Sequence, residues 1–516
     1  MNTWIESDTG VAEAAGIETS EFDLYVRGEI PACLAGSLII ATSRRHKDRS
    51  VFARWHDSQA DLLKLDLFPG RPGRVRASFL AVDPDWPDVE PLNAPFYATQ
   101  PNHGLNCSKD TVWATNLLFG APLEVDLASW RPRRILRLVG PDRYRPQLTT
   151  TSHFAWSLDN RYAYFHQSLL ERESDDHPVR SADLKLVELD VVSGSLRTWN
   201  ILPPAGDACP NGANFHSAFY FEEKGERFVG LLRTGAILET LAPHDRPTEH
   251  HVSPMEPSTI WVVRIPEEED VRVLHALLLP GIRDLQGFAL SHLDVDASGG
   301  DGFTLFANFK QSDVAEETHG ENLYGEKPED VPEHYAGMII EAFNCGQVIR
   351  YCRRGDAMSL KTFCRAYVPG KTSLGHSWLP INIQLDSTRQ RLFCSFSGFR
   401  PRLLPRHVAR AYKGLVADLN QIRYVPPLLM RFDSARLEPD TDSKRRHLSY
   451  AESVAFTVVG NGGSDYVCTF APDVGLRIYE ADDLSTAVGY ALSAELMTYG
   501  DTHFRPTPAH MQFVAR

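Results

Sequence analysis

No apolar run in the chain approaches about 18 residues, the least that carries an α-helix across a bilayer. The sequence therefore offers no membrane-spanning helix, and an apolar surface patch is the one peripheral membrane contact left open. Positive charge is also scarce. Lys and Arg number 53 against 67 Asp and Glu, a formal net charge of -14. That balance argues against a nucleic-acid partner and gives anionic lipid no electrostatic hold. Paired cysteine is missing: Cys33, Cys107, Cys209, Cys345, Cys352, Cys364, Cys394 and Cys468 include no C-x-x-C. Scattered thiols of this kind fit a reduced, cytoplasmic protein and not a disulfide frame. Residues 1–6 lack a basic stretch leading into an apolar one, so no secretory signal is expected. Strict repeats, low-complexity tracts and domain linkers are absent as well. The 516 residues are expected to form one domain, with a lead segment over 1–20. Nothing in the sequence implies a protein partner.

Hydrophobic residues make up 43% of the chain and charged ones 23%, which supports a sizeable globular core. Short runs rich in Val, Ile, Leu, Phe and Tyr alternate with Gly, Pro, Asp and Asn turns, as at 36–40, 62–67, 186–192, 228–233, 260–265, 392–397 and 466–470. One idiom recurs, a strand running into an acidic turn: Leu189-Asp190-Val191-Val192-Ser193-Gly194, with looser versions at 122–130 and 476–484. Such regularly spaced hairpins read as propeller blades. A β-sandwich is the alternative, but several copies would be needed to use this length. The fold expected is all-β. Residues 406–415 are expected to form a short helix. Residues 312–338, acidic and holding Gly320, Gly325, Pro328 and Pro332, are expected to form a long polar loop over one face.

Most of the 19 histidines lie in polar loops and are most simply solvated. Four sit in apolar settings: Ser152-His153-Phe154-Ala155-Trp156, Phe215-His216-Ser217-Ala218-Phe219, Ser291-His292-Leu293-Asp294, and the tail Pro506-Thr507-Pro508-Ala509-His510. Chain ends are usually polar and frayed, whereas this one is apolar and stiffened by two prolines, so His510 is expected to be buried. A buried imidazole needs a partner for each ring nitrogen. Backbone carbonyls are the ordinary partners, and a metal is another. The four histidines are each more than sixty residues apart, so they cannot come from one helix as in H-E-x-x-H sites. The spacing suits one ligand from each of several blades meeting on a propeller axis. Four imidazoles without thiolates suit iron, copper or zinc rather than magnesium or calcium. Spacing alone does not choose among those three.

The stretch Tyr25-Val26-Arg27-Gly28-Glu29-Ile30-Pro31-Ala32-Cys33-Leu34-Ala35-Gly36-Ser37-Leu38 resembles V-x-G-x-I-P-x-x-L-x-G-x-L, an N-terminal pattern of the carotenoid cleavage oxygenase family. The four histidine segments fall in the order of that family's ligand segments, and the last lies near the chain end, as His510 does. Arg54-Trp55-His56-Asp57-Ser58 resembles a further family segment with its glycines lost. The resemblance implies a seven-bladed β-propeller in which His153, His216, His292 and His510 hold Fe(2+). It also implies a dioxygenase that uses O2 to cleave an alkene bond of a carotenoid, apocarotenoid or similar apolar polyene into two carbonyl products. The aromatic neighbours Phe154, Trp156, Phe215 and Phe219 become candidates for a substrate tunnel, core packing being their ordinary reading.

Departures from the family pattern mark this chain as divergent. Leu118 and Trp378 stand where two glutamates usually hold the outer nitrogens of ligand histidines, and the third falls close to Glu452. His376, Ser377 and Glu452 are the replacements the sequence offers. Leu117 stands where stilbene-cleaving members carry a lysine, which favours an apolar polyene over a phenolic stilbene. The alternatives are a stilbene-cleaving oxygenase and a degenerate propeller that binds an isoprenoid without catalysis. An unrelated propeller hydrolase would rely on convergent carboxylates for calcium, and the sequence shows none.

Overall fold

The apolar runs do not alternate with polar residues, and the packing on their two faces explains why. In a computed structural model, Leu38 and Ile40 of the strand Gly36–His46 pack towards one neighbouring sheet, while Ile39 and Ala41 pack towards another. Trp261 and Val263 likewise face one sheet, and Ile260 and Val262 the next. A strand buried on both faces reads as a continuous hydrophobic run.

The structure describes residues 6–8, 19–26, 28–46, 59–70, 73–82, 102–108, 110–116, 121–137, 149–171, 180–205, 215–233, 259–268, 270–280, 287–299, 302–311, 345–355, 357–364, 379–397, 427–440, 446–448, 455–460, 465–471, 475–488 and 504–516. The expected loop at 312–338, the helix at 406–415, and Leu117, Leu118, His376, Ser377, Trp378 and Glu452 lie outside them.

Among the described residues seven sheets make seven blades, antiparallel throughout except that Leu196–Leu202 and Val273–His275 pair in parallel in blade 3. Blade 1 joins the two ends of the chain: Thr19–Val26, Gly36–His46, Gln59–Phe68 and Gly73–Val82, with Phe504–Ala515 as its innermost strand. The inner strands of blades 2 to 7 are Asn102–Cys107, Thr149–Thr151 with Ala155–Trp156, Phe215–Glu223, Gly287–Asp296, Leu379–Asp386 and Phe456–Val459. From the lead, Glu6–Asp8 adds an outer strand to blade 2 by pairing with Arg131–Arg137. A 3-10 turn at Ala32–Leu34 is the helix present among the described residues, and no helix there is long and apolar enough to cross a membrane.

Seven hydrophobic clusters fill the seven gaps between neighbouring blades, so the core is a ring. Closure of that ring explains the N-terminal pattern. A Cβ on Gly36 would lie 2.3 Å from the Val514 carbonyl oxygen and 2.7 Å from the Phe513 ring, so only glycine lets the first and last strands meet here. Gly28 takes φ +108, a conformation other residues rarely adopt.

The acidic-turn idiom has a common backbone form. A residue in the left-handed region follows four positions after the turn's acid: Trp130 after Asp126, Gly194 after Asp190, Gln390 after Asp386, Leu437 after Asp433 and Leu484 after Glu480. Asp190 Oδ1 accepts the N–H groups of Val192 and Ser193 at 2.9 and 3.1 Å, the bonding of an Asx turn. Left-handed φ costs a side-chain-bearing residue about 1–2 kcal/mol. Trp130, Leu437 and Leu484 offset it by burying their side chains in interblade clusters, each worth about 1.5–3 kcal/mol.

Candidate metal centre

In an inner strand, the edge away from its blade partner faces the axis. In blades 1 to 6 that strand carries a β-bulge, one residue more than its partner opposite, and in blade 5 it carries a second at Phe288. In blade 4 the extra residue is His216, between the pairs Phe215↔Arg233 and Ser217↔Leu232. In blade 5, Ser291 and His292 face the single residue Asn308. Blade 1 has Ala509 extra, next to His510, and blade 3 gains its residue in the gap holding Ser152, His153 and Phe154. Blades 2 and 6 have His103 and Ile381 at the corresponding place. A bulge turns the strand locally and re-aims side chains, and bulges gather beside functional sites. Small polar groups fill the gaps. Asn308 Oδ1 accepts the His292 N–H at 2.9 Å. Ser395 Oγ accepts the Asn382 N–H at 3.1 Å. Ser152 Oγ accepts the His166 N–H at 3.0 Å.

Four blades thereby bring four histidines to the axis. One ligand nitrogen each from His153, His292 and His510 forms a group whose members all lie within 4.8 Å of one another. The Nε2 atoms of His292 and His510 are 3.1 Å apart. Two ligands at right angles on a metal, each bonded at about 2.1 Å, would hold their nitrogens about 3.0 Å apart. Two facing imidazole lone pairs repel, so that approach needs either a shared proton or a cation, and a divalent cation fits the donor set. His216 is close by: its ring centroid lies 4.9 Å from those of His153 and His292. Its Nδ1 is 3.1 Å from Ser217 Oγ, and its nitrogens stand outside the three-membered donor group.

A cavity of about 830 Å³ runs along the axis from His153, His292 and His510 towards the C-terminal ends of the inner strands, and all seven blades contribute to its wall. Phe154, Trp156 and Phe219 touch it. The Phe154 ring is mostly committed to packing, stacked 4.7 Å from Phe165, and Phe219 packs 5.1 Å from Phe303. Phe215 corrects the tunnel expectation. Successive strand side chains point to opposite faces, and Phe215 enters the cluster between blades 3 and 4. There it is fully buried, 5.0 Å from Trp261 and 4.9 Å from His166, and is not part of the cavity wall.

Asp294 and Gln512, each two residues after a histidine, also belong to the wall. Burial raises Asp294 to about 6, against the lowering effect of the N–H groups of Leu385 and Val295 that it accepts. Its carboxyl group thus lies in the wall of the candidate cation site. Reading the sequence missed Asn308, Asp294 and Gln512. For the last two a signal was available, since alternate strand positions share a face with the histidine before them.

No protein-family model matches the chain, and no curated protein matches it. Solved structures do. Cobalt-substituted apocarotenoid oxygenase from Synechocystis is 14% identical, with a TM-score of 0.53 and 96% of each chain covered. An ACO/RPE65 chimera is 13% identical, with a TM-score of 0.52 over the same coverage. At such identity the likeness establishes the fold alone: the chain is a seven-bladed propeller with the fold of those solved structures. It carries a histidine group at the axis that could hold a metal.

Proposed function

We propose that the protein is a non-haem iron(II) dioxygenase that cleaves an alkene bond of a carotenoid, apocarotenoid or similar apolar polyene with O2, giving two carbonyl products. The observation that carries this reading is the convergence of His153, His292 and His510, from three blades of an oxygenase-type propeller, on one point of its axis. His216 is the proposed fourth ligand. Its Nδ1 faces the Ser217 hydroxyl, which leaves Nε2 for the metal. All four imidazoles must be neutral to bind. When bound, iron(II) would supply the chemistry that brings dioxygen to an alkene. The protein's part is to fix the ligands through bulged strands, to leave positions open and to shield the site from bulk water. Trp156, half-buried in the cavity wall, is the aromatic best placed to touch a polyene. An apolar polyene partitions into bilayers, so a cytoplasmic protein with peripheral membrane contact belongs to the same proposal.

The test is O2 consumption by iron-loaded protein over a panel of carotenoids and apocarotenoids, with the carbonyl products identified. Uptake of one O2 per alkene cleaved is expected. Turnover that survives anaerobiosis, or none across the panel, would contradict it. The position of His216 outside the donor group favours a second reading, a propeller that binds an isoprenoid without catalysis. Polyene binding with no O2 uptake would select that reading.

A further inference from the structure

The edge of an inner strand exposes backbone N–H and C=O groups to the axial channel, and such groups need partners. Side chains of adjacent blades supply several of them. Asp294 in blade 5 accepts the Leu385 N–H of blade 6 at 2.7 Å through Oδ2, and its own neighbour Val295 N–H at 2.8 Å through Oδ1. Gln512 in blade 1 accepts the Cys107 N–H of blade 2 at 2.7 Å through Oε1. Gln384 in blade 6 takes both groups of blade 7, donating to the Phe456 carbonyl and accepting the Val458 N–H, each at 2.8 Å. Between blades 3 and 4 the ligand strands bond directly, His153 N–H to the His216 carbonyl at 2.9 Å. Each link runs from one blade to the next around the axis, forming an interrupted hoop of polar stitches.

Two of the stitches have a special place. Asp294 follows His292 by two residues and Gln512 follows His510 by two, and these are the two histidines whose Nε2 atoms stand 3.1 Å apart. We infer that Asp294 and Gln512 are positioning residues for the metal centre: each anchors its inner strand to the next blade so that His292 and His510 are held at the separation one cation requires. The inference rests on the proposed metal site and adds which residues set its geometry. Both do this with a side-chain oxygen that accepts a backbone N–H of the next blade. Gln384 makes bonds of the same type from a blade that contributes no ligand, so it shares the structural task without the positioning one.

The experiment measures Co(II) affinity by competition with a chelator, with thermal unfolding measured in parallel, for the full chain and for Asp294→Ala, Gln512→Ala and Gln384→Ala. Asp294→Asn and Gln512→Glu, which keep an acceptor oxygen, serve as rescue variants and as the substitutes if an alanine variant fails to fold. Asp294→Ala and Gln512→Ala are expected to bind Co(II) about 10–100-fold more weakly, the range seen when groups that orient metal ligands are removed. Gln384→Ala is expected to unfold at lower temperature with affinity within about threefold of the parent, and the rescue variants to stay within the same range. Equal affinity in parent, Asp294→Ala and Gln512→Ala would overturn this inference alone, as would an equal loss in Gln384→Ala. Absence of Co(II) binding by the parent chain would overturn the metal site itself, and this inference with it.

Discussion

Blades 5 and 6 are built alike where they meet the axis. Each inner strand has a one-residue bulge at the corresponding place, and in each a polar side chain of the second strand reaches into that bulge, Asn308 in one and Ser395 in the other. Each then sends a side chain to the backbone of the next blade, Asp294 and Gln384 respectively. The difference lies at the bulge itself, with His292 in blade 5 and Ile381 in blade 6. The bulge is therefore a property of the scaffold, a slot offered by most blades, and in blades 3, 4, 5 and 1 a histidine lies in it or next to it.

Substituting the two filling groups would break that comparison most sharply. Asn308→Ala and Ser395→Ala each remove a buried acceptor and should each cost about 1–3 kcal/mol of stability. Only Asn308→Ala should also weaken metal binding, by roughly 10–100-fold, because the N–H it leaves behind belongs to His292. Chelator competition on both variants checks this, and equal metal affinity in the two would mean that the filling group does not orient the ligand.

Blade 3 gives a third version of the slot, with Ser152 bonded to the backbone of His166. The His166 side chain is fully buried, and burial lowers it from 6.5 to about 3. The folded value lies below the unfolded one, so the unfolded chain binds the extra proton. Stability is then complete above about pH 6.5 and is lost as pH falls towards 3. Between pH 7 and pH 5 the loss should be roughly 2 kcal/mol, and His166→Phe should remove that part of the acid sensitivity. Unfolding curves of both proteins across this window, without metal, provide the check, and equal pH slopes would refute it.

The smallest effect is expected at the outer rim of blade 6, where Gln390 and Leu437 share left-handed backbone at φ 51 and 57. Gln390 is exposed, so Gln390→Gly should stabilise by about 0.5 kcal/mol through relief of strain. Leu437 is 4% exposed, and Leu437→Gly should instead destabilise by about 1 kcal/mol or more, as lost burial outweighs the relief. Thermal unfolding of the two variants would show opposite signs.

The propeller was legible because its information is local: strand-length apolar runs, acidic turns and the Gly28 and Gly36 positions that closure demands. The group His153, His292 and His510 was legible because apolar settings around a titratable ring are rare enough to notice. The bulges were hidden, since whether His216 is an extra residue depends on the register against Arg233 and Leu232. The stitches were hidden for a similar reason: the Gln512 bond to Cys107 joins residues 405 positions apart. Phe215 misled because its neighbour His216 reaches the axis, while strand alternation sends Phe215 itself into the core.

The central claim is that histidines from separate blades hold one metal ion on the axis. Co(II) titration of chelator-treated protein, followed by visible absorption, tests it most directly, with His510→Ala titrated alongside and its folding verified by thermal unfolding. The expected result is one Co(II) per chain in the parent protein. In His510→Ala, affinity should fall by more than the roughly 100-fold that loss of an outer partner can cost. A parent chain that takes up no Co(II), or a folded His510→Ala that binds it as tightly, would contradict the account.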